Sequence, residues 1–127
     1  MVATNLHADI LSDLAAALAG SLGVARTGNI DPERRYPSMF EPIHGSAFDI
    51  MGKGLANPIG TFWSCVMMLE HLEEQVAADA LMAVIESVTA EPALHTRDLD
   101  GSATTVQVTE AVVARIATGA SGRRLAA

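Results

Sequence analysis

Asp9 and Asp13 stand four residues apart in the stretch Asn5-Leu6-His7-Ala8-Asp9-Ile10-Leu11-Ser12-Asp13. At i and i+4 on a helix their side chains emerge as neighbours, and two like charges this close repel mildly unless a cation lies between them. Mg2+ or Mn2+ would suit that place, because hard divalent ions take carboxylate oxygens. On spacing alone a solvated acidic face is the more economical account. The second candidate is the segment from Glu41 to Asn57, EPIHGSAFDIMGKGLAN. Its glycines let backbone come close to a ligand, and the Asp49 carboxylate could accept hydrogen bonds from ribose hydroxyls. Taken alone, a glycine-rich turn more often only shapes a loop. The glycines do not fall as G-x-G-x-x-G, so the Rossmann fingerprint is absent.

The elements that must position these residues can be read from periodicity. Residues 8–19 read as a helix with Ile10, Leu11, Leu14 and Leu18 on one face and Gly20 as a stop. Residues 21–30 are weakly strand-like, and 31–38 form a polar loop punctuated by Pro32 and Pro37. Residues 39–43 read as a strand that Pro42 demotes to an edge or an end. Asn57 is a good N-cap with Pro58 at the first helical position, which predicts a helix to about Leu72. A second helix is expected over 75–89, with Ala77, Ala80, Leu81, Val84, Ile85 and Val88 as its apolar face and Pro92 as its end. A third is expected over 103–117, buried through Val106, Val113, Ile116, Ala114 and Ala117. The result is a helix-rich α/β chain with a few short strands. Unpartnered strands leave backbone groups unsatisfied, so further strands are expected from elsewhere.

Composition narrows the function classes. The chain has 127 residues, 50% of them apolar, which is enough to build one core with few aromatics. A formal charge of −7 disfavours nucleic acid as a partner. The apolar runs are too short to span a bilayer, and residues 1–9 lack the basic start of a signal peptide, so a cytoplasmic protein is expected. Cys65 is the sole cysteine and reads as a buried helical thiol. The four histidines have no zinc spacing, and His71 and His95 read as exposed.

Two motifs, in order and at compatible spacing, resemble the isocitrate/isopropylmalate dehydrogenase family, nearest its tartrate/D-malate branch. One is the metal-helix pattern around Asp9 and Asp13; the other runs from Phe40 through Pro58. Leu94 to Thr105 also looks like the family's C-terminal pattern, with Asp100 where a glycine is usual. The resemblance implies that Asp9 and Asp13 bind Mg2+ or Mn2+. It places His44, Gly45, Ser46 and Ala47 along the adenosine and pyrophosphate of NAD, Asp49 on the adenine ribose, Ile50 on the base and Asn57 at the adenine. Glu41 would lie near the nicotinamide. A carboxylate at Asp49 would repel a 2′-phosphate, favouring NAD over NADP.

The fold so implied is the C-terminal part of the family's α/β architecture. Residues 1–24 would close its second domain, 25–118 would form the NAD-binding part of the first, and 119–127 would be a flexible tail. Family members oxidise a small 2-hydroxy acid with a neighbouring carboxylate, and the keto acid can lose carbon dioxide. The arginines, tyrosine and lysine this needs lie upstream of the matching segment, so no catalytic residue is assigned here. A homodimer or a complementing N-terminal half would complete the site. Three readings compete: a segment of such a dehydrogenase, a noncatalytic NAD- or metal-binding remnant, and a helical interaction protein.

Overall fold

The computed structural model describes residues 4–124. Helix α1 (Asn5–Leu18) leads through a single 3-10 turn (Leu22–Val24) into β1 (Arg26–Asn29) and β2 (Met39–Pro42). Helices α2 (Ile59–His71) and α3 (Gln75–Thr89) follow. Two further 3-10 turns (Pro92–Leu94 and Arg97–Leu99) then lead to α4 (Thr105–Arg124).

Helix α1 starts earlier than the expected residue 8, with the Ala8 N–H already bonded to the Thr4 carbonyl at 2.8 Å. Its apolar stripe is not covered. Leu14 is 57% exposed and Leu18 82%, and Ala16 is the buried residue of the helix. The helix packs chiefly on the turn that follows it, so the stripe faces outward.

Strands β1 and β2 pair antiparallel with each other, Arg26 opposite Pro42 and Asn29 opposite Met39. The partner expected from elsewhere is thus supplied, for one edge of each strand, from within the chain. Pro42 closes β2, where its missing N–H interrupts no further pairing. The connecting loop is organised by Asp31, whose carboxylate accepts the backbone N–H groups of Glu33, Arg35 and Tyr36. The Tyr36 N–H does most to hold that carboxyl below its usual range; desolvation opposes it, and the Glu33 and Arg35 N–H groups and the charge of His71 add lesser lowering effects.

Helix α2 begins one residue later than expected, with Pro58 at its N-cap and not at its first helical position. Asn57 still serves the start of the helix, since its side-chain oxygen accepts the Ile59 N–H at 3.0 Å. Gly60 lets that helix lie against the preceding turn, since a Cβ there would stand 2.8 Å from the Gly23 carbonyl oxygen. From this helix inward runs the core: Ile59 and Val66 of α2, Ala78, Ile85 and Val88 of α3, Ala103, and Val108 and Val112 of α4.

Helix α3 occupies the expected residues, but Ala78 is buried in place of the exposed Ala77. The face expected for the last helix is wrong. Val106, Val113 and Ile116 are exposed, as are Ala114 and Ala117, whereas Val108 and Val112 are buried. Helix α4 carries apolar residues on more than one side, so its period is satisfied by either stripe and packing on α3 selects between them. The helix also continues to Arg124, through residues assigned to a flexible tail; residues 125–127 lie outside the described range.

Two histidines are less exposed than expected. His71 is half-buried, its ring tilted on Phe40 at 5.5 Å and its carbonyl taken by the Arg34 guanidinium. His95 is half-buried too, its ring Nε2 2.9 Å from the Thr89 carbonyl oxygen. Cys65 is half-buried on α2.

Candidate functional site

The segment between β2 and α2 folds as a chain of tight turns. Ile50 N–H reaches the Ala47 carbonyl at 3.0 Å and Lys53 N–H that of Ile50 at 3.1 Å. The reversals need left-handed backbone: Gly52 and Gly54 have φ of 73° and 67°, and Ala47 adopts 42° despite its side chain. The far end is pinned to α4. Thr105 donates its N–H to the Gly54 carbonyl at 2.9 Å and its hydroxyl to the Ala56 carbonyl at 2.5 Å.

Beneath these turns lies a cavity of about 710 Å³, the size of a small-molecule or cofactor site. Six of the residues singled out in the sequence line it: His44, Gly45, Ser46, Ala47, Ile50 and Asn57. Gly23, Asp98, Thr105 and Val106 close it from the other side. His44 to Ala47 are exposed, with His44 Nδ1 3.1 Å from the Gly45 carbonyl oxygen. Asp49 is exposed in the same loop but is not part of the lining. Glu41 projects from β2 opposite Thr27 and is exposed, also outside the lining.

Asn57 is 7% exposed and its amide is committed at both ends. Oδ1 caps α2, and Nδ2 donates to the Asp98 carboxylate at 3.0 Å. Asp98 had no role in the sequence reading, although it sits in the C-terminal pattern that carried the resemblance. It accepts hydrogen bonds from the Ser21 hydroxyl and the Thr96 hydroxyl as well as from Asn57. Asp98 is itself exposed, and the partial desolvation of its carboxyl pushes it up, but the hydrogen bonds from Ser21, Thr96, Asn57 and its own backbone N–H outweigh this and leave it below its ordinary value. The only local signal in the sequence was Thr96-Arg97-Asp98, a pairing of hydroxyl and carboxylate two residues apart; Ser21 and Asn57 come from distant segments.

Asp9 and Asp13 lie on α1, away from the cavity, and both are exposed. Among the described residues no third His, Cys, Asp or Glu joins them in a cluster able to hold a metal. Two carboxylates still match the habit of Mg2+, which keeps several waters and takes one or two protein carboxylates. No helix among the described residues is long and apolar enough to cross a membrane.

Comparison with known proteins identifies the class. A crystal structure of isocitrate dehydrogenase from Methylococcus capsulatus superposes with a TM-score of 0.78 at 44% identity, over 89% of this chain and 33% of that one. The β-decarboxylating dehydrogenase of Thermococcus kodakarensis gives 0.76 at 40% identity, over 90% and 32%. The fold is that of these dehydrogenases. Residues 1–113 match the isocitrate/isopropylmalate dehydrogenase family, and the chain belongs to it. Over 117 residues it is 70% identical to a probable tartrate dehydrogenase/decarboxylase of Agrobacterium vitis, covering 92% of this chain and 32% of that protein. It is 49% identical to the decarboxylating D-malate dehydrogenase of Escherichia coli strain K12, over 88% and 32%. The chain therefore spans about a third of the length of the curated relatives it matches.

Proposed function

We propose that the chain is the C-terminal segment of an NAD- and divalent-metal-dependent 2-hydroxy acid dehydrogenase of the tartrate, D-malate or isopropylmalate type, inactive by itself. The observation that carries this is the cavity under residues 44–57, bounded by six residues that the family resemblance assigns to NAD. Its volume and its backbone-rich turns suit an extended nucleotide. Bound NAD would supply the hydride acceptor and a bound Mg2+ or Mn2+ the positive charge at the substrate oxygens.

The contributions of this chain are binding and orientation. His44 to Ala47 offer backbone along the cavity rim, Ile50 an apolar wall, and Asn57 a fixed floor at the start of α2. Asp49 lies outside the lining but next to the lining Ile50, and its carboxylate would repel a 2′-phosphate brought near it. Asp9 and Asp13 would hold the divalent ion, with water, substrate and a second chain completing its shell. That second chain is either a homodimer partner or a complementing N-terminal half, and the cytoplasm is the expected compartment.

The test is a pair of titrations and an assay. The purified chain should bind NAD in preference to NADP, and Asp49→Asn should narrow that preference. Mn2+ affinity should fall in Asp9→Ala/Asp13→Ala while NAD affinity persists. With D-malate, NAD and Mn2+, no NADH should form until the upstream segment is supplied. Turnover by the chain alone would refute its proposed inactivity, and absence of any NAD binding would refute its nucleotide role.

A further inference from the structure

Three parts of the chain that are remote in sequence meet at a single carboxylate. Asp98 Oδ2 receives both the Ser21 hydroxyl, 77 residues away, and the Asn57 amide, 41 residues away at 3.0 Å. The other oxygen receives the Thr96 hydroxyl. Each donor is itself buried: Ser21 and Asn57 are 7% exposed and Thr96 is 1% exposed. Two of them, Ser21 and Asn57, are also committed elsewhere in a way that transmits position. Ser21 Oγ accepts the Gly23 N–H at 2.9 Å, and Asn57 Oδ1 accepts the Ile59 N–H that starts α2.

Gly23, Asn57 and Asp98 all line the cavity, and they touch one another. A Cβ on Gly23 would stand 2.7 Å from Asp98 Oδ2 and 3.0 Å from the Asn57 Cβ. A carboxylate is the one side chain here that can accept from all three donors without offering a proton of its own. An asparagine at 98 would turn an amide N–H either toward Ser21 and Asn57 or toward Thr96.

We infer that Asp98 is a positioning residue for this cavity, clamping the Ser21–Gly23 wall to the Asn57 wall and so setting its width. The role rests on the nucleotide reading of the cavity but needs no contact between Asp98 and the nucleotide. Because Ser21 lies three residues past the end of α1, the same clamp also anchors the helix that carries Asp9 and Asp13.

The experiment is NAD titration by calorimetry for the wild-type chain, Asp98→Asn, Ser21→Ala and the double variant, with nitrogen-labelled protein followed by NMR across pH. Asp98→Asn and Ser21→Ala should each weaken NAD by about tenfold, the loss set by one hydrogen bond to a charged group. The double variant should be no weaker than Asp98→Asn, since both act through one clamp. The side-chain amide signals of Asn57 should move with acid in the wild type and stay flat in Asp98→Asn. NAD affinities in both variants within about twofold of wild type, or losses that add, would overturn the clamp. If the wild-type chain binds no NAD, the nucleotide reading falls separately. The clamp is then decided by the Gly23 and Asn57 signals: a joint shift in Ser21→Ala supports it, and unchanged signals overturn it.

Discussion

Asp100 sits at φ 60° and ψ 21°, at the end of the Arg97–Leu99 turn, a position where the family resemblance leads glycine to be expected. Left-handed backbone strains a residue with a Cβ, less so for Asp than for most. Asp100→Gly should therefore stabilise the chain by about 0.5–1 kcal/mol, the relief being partly offset by the greater freedom of glycine in the unfolded state. The next residue behaves oppositely. A Cβ on Gly101 would stand 1.9 Å from the His95 carbonyl oxygen, an oxygen already bonded to the Ala103 N–H. Gly101→Ala should thus lose about 2 kcal/mol or more, read from urea midpoints, because backbone rather than a flexible side chain must move. Acid should weaken the same region. With its folded pKa lowered, Asp98 contributes stability that is present above the unfolded value of about 3.8 and lost as pH falls through the folded value. Asp31 acts in the same direction. Thermal midpoints taken on either side of that range should fall less steeply with acid in Asp98→Asn than in the wild type.

Helix α4 shows how far an element can be read from its sequence. The limits of helix α3 were legible because its apolar stripe and Pro92 agreed on them, although Ala78 is buried in place of Ala77. For α4 the existence was legible and the face was not. Two neighbouring valines measure the difference: Val112 is 0% exposed and Val113 57%. Val112→Ala should cost about 1.5–3 kcal/mol, while Val113→Ala should stay within about 0.5 kcal/mol, as urea denaturation would report. The candidate site divides in the same manner. Loop residues that line the cavity could be singled out in advance, because glycines carry their conformational role locally, but the carboxylates of Asp49 and Glu41 lie outside the lining. Asp98 could not be singled out, because its meaning depends on Ser21 and Asn57, which only the folded chain brings to it.

At the scale of the molecule, packing is unevenly distributed. The buried core starts at Ile59 and draws on α2, α3 and α4, while α1 leaves Leu6, Ile10, Leu14 and Leu18 exposed along one side. Such a stripe favours self-association at high concentration. Sedimentation should show mass rising with concentration, and Leu14→Lys/Leu18→Lys should suppress the rise. Packing this uneven predicts a stable half and a dependent half, and a protease should find the seam. The loops at 31–38 and 44–56 are exposed at most positions, and cutting there removes no residue of the central cluster. A brief digest should accordingly leave a resistant fragment beginning near Asn57, the residue that both floors the cavity and holds the first N–H of the helix that opens the core, so that loss of the nucleotide site would precede loss of the fold.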